Sequence, residues 1–162
     1  MSFHGSSLFF YVITWIRRVA ADKSHPGNND RFPTKEDGSR DIIARSEWDH
    51  TQTYAEMEKL VASGKTKAIG VSNYSKKYLE ELLPKAKIIP AVNQIENHPS
   101  LPQQEIRDIC AEKGILITAY SPLGSTGSPM FKTEEVVKVA EKKGVSPASV
   151  LLSYHSMLFL LN

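Results

Sequence analysis

The sequence predicts an α/β fold built on parallel strands, and three patterns carry that expectation. Short apolar runs, "KAIGVSN", "IIPAVNQI" and "ILITAY", alternate with segments whose apolar residues recur at spacings of three and four; strands that alternate with helices imply crossovers between parallel strands. The runs are apolar at successive positions, as in strands buried on both faces. Gly64, Gly114 and Gly144 stand where three of the helical segments must stop. No self-similarity accompanies the alternation, which argues against a solenoid. A closed barrel and an open sheet both remain compatible with these patterns.

The elements follow in order. Residues 3–16 are rich in aromatic and β-branched side chains and read as a first strand. Residues 22–50 shift to "DKSHPGNNDRFPTKEDGSRD" and beyond, dense in Pro, Gly, Asn and Asp, and read as a long surface loop. Loops longer than about 12–15 residues inside compact domains are functional covers or disordered. Tyr54, Met57, Leu60 and Val61 then share one helical face. "KAIGVSN" is the second strand. Ser75 caps the helix in "SKKYLEELLPKA", which turns Tyr78, Leu79, Leu82 and Leu83 inward. "IIPAVNQI" is the third strand, and a helix over 102–113 buries Ile106, Ile109 and Cys110. "ILITAY" is the fourth. Two helices close the chain, one over 134–143 and one capped by Ser146 with Pro147 at its first position.

At 162 residues and 41% hydrophobic, the chain suffices for one core. Twenty Lys and Arg against 18 Asp and Glu leave a net charge of +2 with no long run of like charge, so neither nucleic acid nor an anionic membrane surface is expected as a partner. The apolar run "LFFYVITWI" has Arg17 and Arg18 after it rather than before, and it is shorter than the roughly 20 residues of a membrane helix. No spanning segment is expected, with a signal anchor as the minor alternative. Cys110 is the single cysteine, so no internal disulfide forms and a cytoplasmic location is expected. Its place on an apolar helix face argues against a reactive thiol. Glu96 and His98 lack further ligands at metal-binding spacing, so no metal is expected. His4, His25, His50 and His155 are scattered and read as surface or packing residues.

In either parallel architecture, ligands bind at the carboxyl ends of the strands. Those ends carry Thr14 and Trp15, Ser72 and Asn73, Gln94 through His98, and Tyr120 and Ser121. Asn and Gln each offer donor and acceptor, and an aromatic face covers a planar ring, so a neutral planar ligand such as a nicotinamide carboxamide suits the set. The alternative is that Asn73 and Gln94 satisfy loop backbone and that Tyr120 packs within its strand.

The words "GKTKAIGVSNYS", "VNQIENHPSLPQQEI" and "GILITAYSPLGS" resemble the aldo-keto reductases, each at the expected strand end and in the expected order. The likeness runs from about residue 54 to 155, and "FPTKEDGSRDI" with "PASVLLSYH" is similar to the fungal branch of aldehyde reductases and glycerol-dehydrogenase-like enzymes. The resemblance implies a partial TIM (β/α)8 barrel, roughly its fourth to seventh strands with their helices. Residues 1–162 would form one incomplete domain, made of a divergent strand over 1–21, a loop over 22–50, well-matched units over 51–155 and a divergent tail over 156–162. It also implies an NADP(H)-dependent reductase of small aldehydes and ketones. Tyr120 would stack on the nicotinamide, Ser72, Asn73 and Gln94 would hold its carboxamide, and Ser121, Leu123 and Ser125 would follow the dinucleotide.

The resemblance equally marks what does not match. The family donates its proton from a tyrosine assisted by a lysine and an aspartate, and nothing in these residues aligns with that trio. Where the family has a histidine in the substrate pocket the chain has Thr14, and only Trp15 agrees with the pocket pattern. The segment that clamps the adenosine 2′-phosphate is also unmatched, so weakened cofactor binding is expected. The chain is therefore expected to be inactive alone, to self-associate through exposed strand edges, or to be a non-catalytic partner protein; an incomplete gene model is a further alternative.

Overall fold

The computed structural model describes residues 10–13, 35–39 and 49–160, with 10–13 and 157–160 described by their backbone. Four parallel strands form one sheet in the order β1-β2-β3-β4, with β1 Phe10–Ile13, β2 Ala68–Ser72, β3 Val92–Glu96 and β4 Leu116–Tyr120. Between them run α1 His50–Ala62, α2 Lys76–Leu82 and α3 Gln104–Glu112, and after β4 come a short 3-10 turn, α4 Glu134–Lys143 and α5 Pro147–Leu160. The strictly sequential order is what repeated βα crossovers of one hand produce.

The caps explain where the helices start. Asp49 opens α1 with a capping box, its carboxylate accepting from the Thr51 and Gln52 amides while the Gln52 side chain accepts from the Asp49 amide. Ser75 and Ser146 cap α2 and α5 as the sequence predicts. Gly144 ends α4 in the left-handed region at φ 64°, a conformation that L side chains avoid.

One core lies between the helices and one face of the sheet. Tyr54, Ile69, Val71, Tyr74, Leu79, Leu82, Ile109, Cys110 and Ile115 are buried there, including residues read from the sequence as the inner faces of α1, α2 and α3. Two features differ from the sequence reading. The third strand starts at Val92 rather than Ile88, because Pro90 has no amide to give the ladder and Ile89 turns outward. β4 is also not buried on both faces, since Leu116 is 61% exposed.

Of the expected first strand, only Phe10–Ile13 falls within the described residues. Most of the loop over 22–50 lies outside them, as do Thr14 and Trp15.

Candidate functional site

Register assembles the site at the carboxyl ends of β2, β3 and β4. Ser72 lies opposite Gln94, Gln94 opposite Thr118, and Glu96 opposite Tyr120. In a pleated sheet these positions share one face, the one opposite the helix-covered core. The Ser72 hydroxyl donates to the Gln94 carbonyl at 2.8 Å, and the Asn73 amide donates to the same oxygen at 2.9 Å.

Asn73 turns the chain out of β2 with φ 58°. That rotation aims its side chain over the strand ends, where Oδ1 accepts the Tyr120 hydroxyl proton at 3.0 Å. The bond bridges β2 and β4 across the intervening β3. It commits Asn73 Oδ1 and leaves Nδ2 as a donor, and it fixes the Tyr120 ring, which is 37% exposed. Ser121 follows in a second non-glycine left-handed conformation, φ 48°. Backbone in sparsely populated regions at the ends of two strands flanking a third is a feature of binding sites.

Beyond Tyr120 a tight turn closes when the Gly124 amide donates to the Ser121 carbonyl at 2.7 Å. Gly124 has φ 79°, and a Cβ there would strike the Ser128 side chain and lie 2.9 Å from Met130 Cε. Leu123 is half-buried and Ser125 exposed, its carbonyl accepting from the Ser128 amide at 2.9 Å. The structure thus brings Ser72, Asn73, Gln94 and Tyr120 together and strings Ser121, Leu123 and Ser125 along the adjoining turn.

One positioning residue escaped the sequence reading. Asn93 is fully buried on the core side of β3, where its Nδ2 donates to the Tyr74 carbonyl at 2.9 Å and its Oδ1 accepts from the Tyr74 amide at 3.4 Å. It ties down the residue that follows Asn73. The available signal was an asparagine at a core-facing position of "VNQIE", where an unpartnered amide would be costly.

Other groups weighed from the sequence fall into place. Cys110 is buried, and burial pushes its thiol up to about 11 against a small opposing effect of the Asn93 amide, so it is a packing residue. Burial likewise raises the Tyr74 and Tyr54 hydroxyls above the ordinary tyrosine value, which suits neither to proton transfer near neutrality. His98 Nε2 lies 3.6 Å from Glu96 Oε1. Among the described residues no three His, Cys, Asp or Glu side chains are grouped to hold a metal, and no helix is long and apolar enough to cross a membrane.

The chain is similar to known proteins. A family model described as "Aldo/keto reductase family" matches residues 22–158. A D-galacturonate reductase of Hypocrea jecorina is 68% identical over 131 residues, covering 80% of this chain and 41% of the relative. A glycerol 2-dehydrogenase (NADP(+)) of Saccharomyces cerevisiae is 42% identical over 149 residues, covering 90% and 47%. Among solved structures, aldose reductases from Schistosoma japonicum and Giardia lamblia superpose with TM-scores of 0.77 and 0.78 at 34% and 33% identity. Each covers 90% of this chain, which in turn covers 44% and 47% of them. The chain therefore spans about half the length of the curated relatives it matches, and its sheet and helices form part of an α/β barrel. With a family match over most of its length and fungal reductases among its relatives, the chain belongs to the aldo/keto reductase family, in its fungal branch.

Proposed function

We propose that Ser72, Asn73, Gln94 and Tyr120 hold the nicotinamide end of NADP(H) in a reductase of small aldehydes or ketones. The observation that carries this reading is the Tyr120–Asn73 bond beside Gln94. It presents a fixed aromatic face and, next to it, the donor Asn73 Nδ2, the Gln94 amide and the Ser72 oxygen. A carboxamide needs both donors and acceptors, and the residues fit it. When bound, the nicotinamide supplies the hydride that a carbonyl carbon takes up. The chain's own contribution is orientation: the ring rests on Tyr120 and the carboxamide sets which ring face is presented. Ser121, Leu123 and Ser125 follow the dinucleotide along the turn. Trp15 and Thr14 belong to the carbonyl side in this reading. The name of the glycerol dehydrogenase relative supports NADP as the dinucleotide, and a cytoplasmic location accompanies it.

Among the described residues Tyr54 and Tyr74 are buried in the core and Tyr120 is bonded to Asn73, so none of these three is placed as a proton donor. Cofactor binding without turnover is the expected behaviour of this chain. Titration of NADPH into the purified chain, followed by nicotinamide fluorescence, tests it. Tyr120→Phe removes a bond worth about 0.5–1.5 kcal/mol and should raise Kd roughly 2- to 10-fold. NADPH affinity insensitive to Tyr120→Phe and to Gln94→Ala would refute the site, and aldehyde-dependent NADPH oxidation by the chain would refute the absence of turnover.

A second reading is a non-catalytic chain that acts through a partner. Among the described residues β4 has a strand on one side alone, and that edge favours it.

A further inference from the structure

β3 carries a second polar side chain on the platform face that the nicotinamide reading leaves unused. Val92, Gln94 and Glu96 are half-buried and alternate with Asn93 and Ile95, which are 0% and 1% exposed on the core side, so Glu96 shares the face of Gln94. Its Cα pairs with that of Tyr120 in the parallel ladder, which places it beside Tyr120 and two residues beyond Gln94. The turn that follows is held by its own bonds. The Gln103 side-chain amide donates to the Glu96 carbonyl at 3.3 Å, and buried Asn97 donates from Nδ2 to the Leu101 and Pro102 carbonyls at 3.3 and 2.9 Å. Among the described residues the ion-pair neighbour of the Glu96 carboxylate is His98, whose Nε2 lies 3.6 Å from Oε1. A neutral imidazole orients a carboxylate without cancelling its charge. The platform thus sets a carboxylate next to the amides and hydroxyls of Ser72, Asn73, Gln94 and Tyr120.

We propose that Glu96 discriminates the redox state of the dinucleotide, its carboxylate favouring the oxidised nicotinamide over the reduced one. The inference rests on the nicotinamide reading and adds a charge to it. The two forms share their phosphates, riboses and carboxamide, and they differ at the ring, which carries one positive charge when oxidised and none when reduced. The ratio of their dissociation constants therefore cancels the contacts to the shared parts and reports the electrostatics at the ring. Gln94 and Glu96 stand two residues apart along β3, a separation of about 7 Å. Unit charges of opposite sign at that separation attract strongly enough to shift such a ratio roughly 3- to 50-fold as the effective dielectric constant falls from about 80 to about 20. Binding that favours the cationic ring also lowers the two-electron potential of the bound couple, by about 15–50 mV over the same range. Tyr120 and Gln94 act on both forms alike, so the effect of Glu96 is separable from theirs.

Titration of the purified chain with NADPH, followed by nicotinamide fluorescence, and with NADP+, followed by calorimetry, tests the proposal. Glu96→Gln keeps the size of the side chain and removes its charge, so the Kd of NADP+ relative to that of NADPH should rise roughly 3- to 50-fold. Glu96→Asp keeps the charge and should keep most of the discrimination. Glu141→Gln, on the exposed surface of α4, should leave the ratio where it is. If Glu96→Gln loses the circular dichroism of the unaltered chain, Glu96→Ala supplies the neutral side chain. A ratio unmoved by the neutral variants, an equal change in both constants, or failure of the unaltered chain to bind either form would each overturn the proposal. Tyr120→Phe should raise both constants together, so its failure counts against the nicotinamide site, whereas a fixed ratio in Glu96→Gln counts against Glu96 alone.

Discussion

Replacing Asn93 by alanine should destabilise the chain and loosen the site together, although Asn93 touches no proposed ligand. The side chain is fully buried and serves both backbone groups of Tyr74, which is itself fully buried. Truncation strands the Tyr74 carbonyl, whose 2.9 Å bond is of full strength, and the amide, whose 3.4 Å bond is weak. A buried group left without its partner costs about 1–3 kcal/mol, so the carbonyl dominates and the pair comes to about 2–4 kcal/mol. Urea unfolding followed by circular dichroism measures the loss. Glu56→Ala is the control: its ion pair with Lys59 is exposed at both ends and contributes less than about 1 kcal/mol. Asn73 sits at φ 58° beside the anchored Tyr74, so the Asn93 variant should also bind NADPH more weakly. A variant within about 0.5 kcal/mol of the unaltered chain would refute the reasoning, since a loss that small means that water replaces the amide and the loop needs no anchor.

Substitutions at three further positions test the frame around the site. Glu58 is buried and its Oε1 accepts the Lys87 and Ile88 amides at 2.6 and 2.9 Å, so Glu58→Ala should cost about 2–4 kcal/mol in urea unfolding, and Glu58→Gln, which keeps an acceptor, distinctly less. Asp49→Ala removes the α1 cap at a cost of about 0.5–2 kcal/mol. The Thr51 hydroxyl, then the Gln52 and Thr51 amides and Lys85, hold the Asp49 carboxyl below its ordinary value; its contribution is therefore complete above the ordinary aspartate value and disappears as pH falls through the lowered one. Asp49→Asn caps without titrating, so its stability should fall less steeply on acidification than that of the unaltered chain. Gly70→Ala places a Cβ 2.5 Å from Val92 Cγ2 and 2.8 Å from the Val92 carbonyl oxygen, forcing β2 from β3 at a cost of about 1–3 kcal/mol, read as a lowered thermal midpoint.

Much of this fold was legible because helix starts, helix stops and the alternation of element types are local properties. Ser75, Ser146 and Gly144 do in the structure what their residue types imply. Ser72, Gln94 and Tyr120 were legible as strand-end residues because parallel strands gather their carboxyl ends. The bond between Asn73 and Tyr120 was not, since it depends on a left-handed turn that brings together residues separated by 47 positions. Glu58 and Asn93 were missed for a related reason: each satisfies backbone on a different element, and sequence periodicity ranks such residues as polar misfits in an apolar stripe. The exposure of Leu116 shows the opposite limit. An apolar run reports a demand for burial, and whether anything meets that demand depends on the neighbours present.

The two faces of the sheet divide folding from function. The face that includes Ile69 and Val71 packs under α1, α2 and α3 and holds the buried core, whereas the face of Ser72, Gln94 and Tyr120 carries the proposed site and little packing. The stability of the site residues is therefore supplied from behind, through Asn93 to the loop of Asn73 and through the register that sets Gln94 between Ser72 and Thr118. Among the described residues the hydrogen bonds of the proposed platform lie within β2, β3, β4 and Asn73, which follows β2. The remaining demand is on the platform face and the outer β4 edge, where Leu116 lies open and, among the described residues, no strand lies on the side of Ile117 and Ala119 away from β3. The proposed cofactor contacts thus draw on the Tyr120 side chain rather than on the backbone of the outer β4 edge, and Tyr120→Phe tests them alone.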